Sequence, residues 1–272
     1  MKYYLYNSKA NNGIRPNVPA GTELVDAVGI DYPEYLKNLN PDDEVVLVGG
    51  DGTVNYFINA VNPDKIRNNI YLLGSGTGND FLNDIGKQPG EEVLLNPYFE
   101  KLPTVYVNGL EKLFINNMGF GIDGYCCEVA DQIKKEKPQE KINYSGIAIK
   151  GLLFHFKPAH AEITVDGKKY DFDDVWIAPT MKGKFYGGGM KMAPDQDRFS
   201  GKLTVVVYHA KSKIKALKTF PSIFKGEHTS NTNMVSVFTG NEIKVRFSHS
   251  CAAQIDGETV LNVREYTAIQ PE

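Results

Sequence analysis

Residues 45–61 read VVLVGGDGTVNYFINAV, with Gly49, Gly50 and Gly52 crowded around one carboxylate, Asp51, and Thr53 directly after. An apolar run ends there and a second apolar pattern begins, so the glycines mark a turn between two buried elements. Without Cβ atoms, the backbone N–H groups of such a turn can form a concave nest, and a helix starting from it adds partial positive charge. Phosphate is the anion that such a nest takes. A second glycine turn, GSGTGN at 74–79, follows the strand-like IYLLG. Neither turn is a better-known phosphate loop. No stretch supplies G-x-x-x-x-G-K-[ST], and the second turn ends in Asn where a dinucleotide fingerprint needs its last Gly. A tight turn with no ligand is the alternative for a single Gly pair. Asp51 argues against it, because a carboxylate at that position is costly unless a cation or a hydroxyl meets it.

The elements that hold these turns are legible from periodicity. Tyr3–Tyr6 and ELVDAV read as short strands, and PEYLKNL as a short helix with Pro33 in its first turn. EVVLV does not alternate, which predicts a strand buried on both faces. Val54, Phe57, Ile58 and Val61 fall at i, i+3, i+4 and i+7, the stripe of a helix burying one face. IYLLG, the second turn and DFLNDI repeat that order, with Asn79 or Asp80 placed to cap the short helix. Strand, glycine turn, helix, twice over, predicts a parallel sheet covered by helices, with both turns at the carboxyl ends of strands, where open α/β sheets bind ligands.

After about residue 100 the texture changes to short β-rich runs punctuated by Gly, Asp and Asn, among them TVYVNG, HAEITVDGKKYDF, KLTVVVYHA, EIKVRFS, AAQIDGE and REYTAIQ. Such spacing predicts an antiparallel sandwich or barrel. Two helices are expected to interrupt it, near Tyr125–Lys135 and Lys211–Lys225. The plan is an α/β domain over 1–100 and a β-rich domain over 101–272, with the last strand free to return to the first domain.

The chain has 272 residues, 42% hydrophobic and 23% charged, with a formal charge of −3. That composition is globular and carries no global basic field for nucleic acid. Three cysteines, two of them adjacent (Cys126 and Cys127), make neither a disulfide framework nor a spaced metal set and read as reduced thiols of a cytoplasmic protein. No signal-peptide h-region and no run of about 20 apolar residues is present, which leaves peripheral attachment to a membrane open.

GGDGT at 49–53 followed by Asn55 resembles the signature of the diacylglycerol, sphingosine and NAD kinase superfamily, in particular the bacterial diacylglycerol kinase-type lipid kinases. Gly76-Thr77-Gly78-Asn79-Asp80-Phe81 is similar to that family's G-T-x-N-D-[FY]. NNMGFGIDG (116–124) is similar to its G-x-G-x-D stretch, GGGMKMAPDQDRFSGKLTV (187–205) to its GGG…P…DG-x-L segment, and IDGE (255–258) to its late D-G-E. The helix KALKTFPSIFKGEH ends in the family's Lys-Gly-x-His. These matches keep their order over most of the chain.

The resemblance implies an NAD kinase-like α/β domain with a parallel sheet and flanking helices, followed by a β-sandwich domain. It implies an ATP- and Mg²⁺-dependent kinase of phospholipid metabolism that phosphorylates a hydroxyl of diacylglycerol or a related lipid. Gly49, Gly50, Gly52, Thr53, Gly76, Thr77 and Asn79 would hold the nucleotide, with Asp80, Asp123 and Lys9 added to that set. Asp256 would be the general base, Glu258 would hold metal or hydrogen-bond that base, and Asp51 would act through metal or orient a phosphate-binding group. Each carboxylate also has a plain structural use: Asp51 as a turn cap, Asp80 as a helix cap, and Asp256-Gly257 as a hairpin turn. Arg15, Lys182, Lys184 and Lys191 read as solvated charges, one of which should face the nucleotide. The lipid is expected at a membrane surface, reached through stretches such as 147–158 and 217–226 that mix aromatics with Lys; no nucleic acid is expected, and a homodimer is left open.

The chain departs from the family at Ser8, where Pro is usual, at Tyr56 for Glu, at Asn83 for Arg and at Ser200 for Asp. Ser200 puts the family's structural magnesium in question, because a hydroxyl is a poor substitute for a carboxylate on a hard cation. The competing readings are an NAD kinase-like enzyme, which shares only GGDGT, and a nucleotide-binding regulatory protein without catalysis.

Overall fold

The computed structural model describes residues 1–9, 15–75, 79–137 and 142–272. It divides into two compact units, Met1–Leu102 and Pro103–Glu272.

The first unit is a five-stranded sheet in the order β2-β1-β3-β4-β5. Its strands are β1 (Lys2–Tyr6), β2 (Glu23–Asp26), β3 (Glu44–Gly49), β4 (Asn69–Gly74) and β5 (Glu92–Leu94), with helices α1 (Tyr32–Lys37), α2 (Asp51–Ala60), α3 (Asp80–Asp84) and α4 (Asn96–Phe99). β1 to β4 are parallel and β5 is antiparallel to β4. β3 carries the fully buried Val45, Val46 and Leu47, as its unbroken apolar run predicts for a central strand. α2 buries Val54, Asn55, Phe57 and Ile58, so the expected stripe is the face packed on the sheet. α1 starts at Asp31, whose carboxylate accepts the Glu34 N–H, with Pro33 in the first turn.

The second unit is one ten-stranded sheet. It contains β6 (Thr104–Val107), β7 (Leu110–Leu113), β8 (Asn117–Phe120), β9 (Ala159–Val165), β10 (Lys168–Ile177), β11 (Thr180–Met181), β12 (Leu203–His209), β13 (Val235–Gly240), β14 (Glu242–Ile255) and β15 (Glu258–Ile269). β14 pairs with β9 through 243–247 and with β8 through 253–255. That double pairing closes β14, β8, β11, β12, β10 and β9 into a six-stranded barrel, and a closed barrel leaves no sheet edge there. β13 adds to β12, and β15, β6 and β7 continue from β14. β15 therefore pairs inside the second unit, with β14 and β6.

The runs EIKVRFS and AAQIDGE, read as separate in the sequence, form the single strand β14. The exposed Ser248-His249-Ser250 between them breaks the apolar alternation where β14 changes partner, and the register with β15 shifts there. The first expected helix is α5 (Ile122–Glu136). The second is shorter than its sequence span: α7 (Lys213–Thr219) gives way to 3₁₀ turns over Phe220–Lys225, where Pro221 removes a helical donor. Residues expected only as a mixed apolar and basic stretch form α6 (Tyr144–Lys150) and a π-helical turn, Gly151–His155.

Candidate active site

In the first unit the two glycine turns are joined by a carboxylate. A Cβ on Gly49 would lie 2.0 Å from Thr53 Oγ1, so glycine is what lets Thr53 fold back against the end of β3. Gly50 occupies the cap position of α2, and its carbonyl accepts the Thr53 and Val54 N–H groups. Asp51 and Gly52 fill the first helical turn. Asp51 Oδ2 accepts the Asp80 N–H at 2.9 Å and Oδ1 accepts the Phe81 N–H at 3.0 Å. Asn79 holds the cap position of α3 in a left-handed conformation, φ 51°, but its side chain makes no capping hydrogen bond. Asp51 of the neighbouring turn does that work, and Asp80 is buried beneath it. The Ser75 N–H donates to the Gly49 carbonyl at 2.8 Å, fixing the second turn to the first. Gly76 and Thr77 lie outside the described residues. Lys9 is exposed, its N–H donating to Asn7 Oδ1.

In the second unit the pattern GFGIDG is explained by close approach. A Cβ on Gly119 would fall 1.6 Å from Asp123 Oδ2, and one on Gly124 would fall 2.0 Å from the Ala252 carbonyl. Gly121 sits at φ +125°, where a side chain would also strike the Trp176 carbonyl. The glycines thus seat α5 hard against β14 and leave a slot for the Asp123 carboxylate. Burial pushes that carboxyl up to about 6, although the Gly124 backbone amide and, less strongly, the Gln254 side chain work in the opposite direction. Asp123 Oδ1 has no hydrogen-bond partner. Gln254 Nε2 donates to Asn117 Oδ1 at 2.5 Å and to Asp123 Oδ2 at 3.4 Å, and its Oε1 accepts the Gly257 N–H at 2.7 Å.

That last bond reaches the hairpin between β14 and β15. Asp256 and Gly257 both have positive φ, 46° and 93°, the pattern of a two-residue type I′ turn. The hairpin reading of Asp-Gly therefore holds, and the carboxylate is buried as well. Asp256 is 6% exposed; Oδ2 accepts the Ile115 N–H at 2.7 Å, and Oδ1 accepts those of Asn116 at 2.8 Å and Asn117 at 2.9 Å. Glu258, opposite Ile255 at the start of β15, is exposed.

Sequence reasoning did not single out Arg198, Asn116, Asn117 or Gln254. Arg198 is buried and donates to the Ile115 carbonyl at 3.0 Å and to Asn116 Oδ1 at 3.2 Å, the same two residues whose amides hold Asp256. Lys182 is buried rather than solvated, with Nζ on Gln270 Oε1 at 2.7 Å. Burial, and secondarily Arg198, bring its ammonium down to about 8. Met192 O accepts from the buried His228 Nε2 at 3.0 Å, which gives Lys-Gly-x-His a structural use in pinning this loop. Nothing in the local pattern of DQDRFS distinguishes such residues from a solvated turn, because every partner is remote in sequence.

The 187–205 segment does not fit a structural magnesium. The Ser200 hydroxyl donates to the Asp197 carbonyl at 2.7 Å, and Asp197 Oδ1 is taken by the Phe199 N–H. Arg198 and Lys182 already place two cations there. Among the described residues, the one cluster of metal-ligating side chains is the exposed His160, Glu162 and Asp171, on β9 and β10.

Residues 116–272 match the YegS C-terminal NAD kinase beta sandwich-like domain, and residues 28–99 match the diacylglycerol kinase catalytic domain. A diacylglycerol kinase of Mycobacterium tuberculosis is 27% identical over 221 residues, spanning 76% of this chain and 70% of that protein. One of Bacillus subtilis is 26% identical over 223 residues, spanning 79% and 71%. A crystal structure of a diacylglycerol kinase from Bacillus anthracis shares the fold, with a TM-score of 0.65 over 99% of this chain and 94% of that one, at 19% identity.

Proposed function

This chain belongs to the diacylglycerol kinase family of lipid kinases, and from that premise we propose that it transfers the γ-phosphate of ATP to a hydroxyl of diacylglycerol or a related lipid. The observation that carries the reading is the Asp256 carboxylate, buried on a rigid hairpin and held by three backbone amides at 2.7–2.9 Å. A base fixed this way spends no conformational entropy when it meets an acceptor hydroxyl. Asp256 takes the hydroxyl proton as the lipid oxygen bonds to the γ-phosphorus and the bond to the β-phosphate oxygen breaks, releasing ADP.

The turn at Gly49–Thr53 and the one ending at Asn79 are assigned to the phosphates, with Thr53 Oγ1 as a donor and Asp80 beside them. Asp51 orients the second turn through the Asp80 and Phe81 amides. Asp123 acts on the hairpin through Gln254, which holds the Gly257 amide. Magnesium bound with the nucleotide would supply charge neutralisation, and within the first unit Asp51 is the carboxylate assigned to hold it. Lys9 is assigned to the nucleotide phosphates.

The test is transfer from radiolabelled ATP to a panel of diacylglycerol, other lipid alcohols and NAD. Label is expected in a lipid. Label in NAD would move the chain to the NAD kinase reading, and retained ATP binding with no transfer to any acceptor would overturn both.

A further inference from the structure

The segment that joins β11 to β12 gathers three backbone carbonyls around one side-chain nitrogen. Gln196 Nε2 donates to the Lys202 carbonyl at 2.9 Å and to those of Lys182 and Asp197 at 3.3 Å each. Gln196 is 4% exposed, and its Oε1 accepts from the Thr204 hydroxyl, so the amide is met on both sides. The Ser200 hydroxyl adds a further oxygen at the same place, donating to the Asp197 carbonyl and accepting the Lys202 N–H at 3.3 Å. Carbonyl oxygens converging from three points of the chain, with a hydroxyl beside them, form the donor set of a hard divalent cation. An NH₂ group, with two hydrogens for three acceptors, meets them instead.

The same segment reaches the Asp256 hairpin by two routes. Arg198, two residues after Gln196, donates to the Ile115 carbonyl and to Asn116 Oδ1. The Lys182 and Gly183 N–H groups donate to the Asn116 carbonyl at 2.8 and 3.0 Å. Ile115 and Asn116 are two of the residues whose amides hold the Asp256 carboxylate. Gln196 therefore closes the segment on itself, from Lys182 to Lys202, around the arginine that backs the base. Carbonyl dipoles drawn together this way repel one another and are costly to bury unless donors or a cation meet them.

We propose that the Gln196 amide does the work of a structural cation in this segment, so that Asp256 is positioned by the chain's own donors without a structural metal. Ser200 fits that arrangement, because a hydroxyl can donate to the Asp197 carbonyl where a carboxylate would only add another acceptor. A neutral amide also suits a segment that already buries the Arg198 and Lys182 cations, to which a divalent ion would add its charge. The link to Asp256 rests on the proposed kinase activity; the cation's replacement is read without it.

Thermal melting of the full chain without ATP, in EDTA or in magnesium chloride, reads the replacement alone. The wild type and Ser200→Asp, in which the amide still meets the carbonyls, are each expected to melt at the same temperature in both buffers. Gln196→Ala leaves the carbonyls unmet and should melt roughly 5 °C lower in both. Gln196→Glu keeps the shape but turns an oxygen onto them, and should lose at least as much. Gln196→Ala with Ser200→Asp offers a carboxylate beside the vacated carbonyls, and magnesium at about a hundredfold excess over its Kd should return roughly 5 °C. If that double variant is unfolded in EDTA, folding on addition of magnesium is the same result. No gain from magnesium in the double variant, an equal gain in the wild type, or a Gln196→Glu chain as stable as the wild type would overturn the inference. In the kinase assay Gln196→Ala should lower kcat about tenfold with the KM for ATP unchanged, because the base is displaced and the nucleotide is not. A wild-type kcat in that variant would overturn the tie to Asp256. A wild type that transfers no phosphate while the melting pattern holds would overturn the kinase reading and leave the replacement standing.

Discussion

Asp51 and Asp256 solve the same problem with different reach. Each is an aspartate followed directly by a glycine, and each turns its carboxylate onto backbone amides. Among the described residues Asp51 takes two, 29 and 30 residues along the chain, from a helix that starts in the adjoining βα unit. Asp256 takes three, 139 to 141 residues away, from the strand entry before β8. The first ties two like turns together, and the second fixes a carboxylate inside a barrel rim. Amide donors to a carboxylate are charge-assisted, so both are firm. Only Asp256 is also walled in, by Arg198 beneath the peptides that hold it. The contrast separates an aspartate that ties two turns together from one that is locked into a buried hairpin.

The largest effect expected from breaking that contrast is at Asp256. Asp256→Asn keeps the size and the turn but removes the base, and about 10²- to 10⁴-fold of turnover should go with it. ATP affinity, measured by calorimetry, should hold. The amide also meets backbone donors with an NH₂ in place of one oxygen, so a stability loss of about 1–3 kcal/mol is expected in denaturant unfolding. Lost stability with near-normal turnover would make Asp256 a structural hairpin residue and erase its difference from Asp51.

How far each region could be read in advance follows from the same distances. The first unit was legible because its signals are local: β3 is an unbroken apolar run, α2 a 3.6-residue stripe, and the glycines of 49–52 stand between them. The pattern predicts the cap position at Asn79, but not the source of the capping oxygens. Asn79 has the right residue type at the right position, yet the capping oxygen comes from Asp51, across a tertiary contact. In the second unit the glycines of 119–124 and the Asp256-Gly257 turn were visible as pattern. Their reasons were not, since Gly119 is there for Asp123 and Gly124 for the Ala252 carbonyl. Arg198 and Lys182 were illegible for a further reason. Charged residues in a polar loop are ordinarily solvated, and only the closed barrel buries these.

Asp123 tests whether the second region carries a cost that the first does not. Burial raises its carboxyl from 3.8 to about 6, so the folded state holds this proton more tightly than the unfolded chain. Stability contributed by the group is therefore present below pH 4 and lost as pH rises from about 4 to 6. Above that range the penalty is complete, on the order of 3 kcal/mol. Asp123→Asn removes the titration while an amide oxygen can still accept from Gln254. The variant should be more stable than the wild type at pH 7.5, with the difference vanishing below pH 4, as read from urea midpoints across that range. A variant less stable at pH 7.5 would mean that the Gly124 and Asp123 amides and Gln254 hold the ionised carboxylate by more than its burial costs. A variant that is more stable but slower would show a charge kept for function against its cost.

The smallest effect is expected at Asp51, and it decides whether the first region is more than a cap. Asp51→Ala removes both acceptors from the start of α3, and loss of a helix cap costs about 1 kcal/mol. Asp51→Asn keeps one oxygen and should recover part of that. If Asp51 positions the second turn for phosphate, ATP affinity should fall in step with the lost acceptors, Ala more than Asn, and the pattern should persist when magnesium is replaced by EDTA. Should affinity fall equally in both variants and only in the presence of magnesium, Asp51 would hold the metal directly. Should stability fall while affinity stays, the carboxylate would be a helix cap alone, and the phosphate nest would rest on the glycine backbone and Thr53.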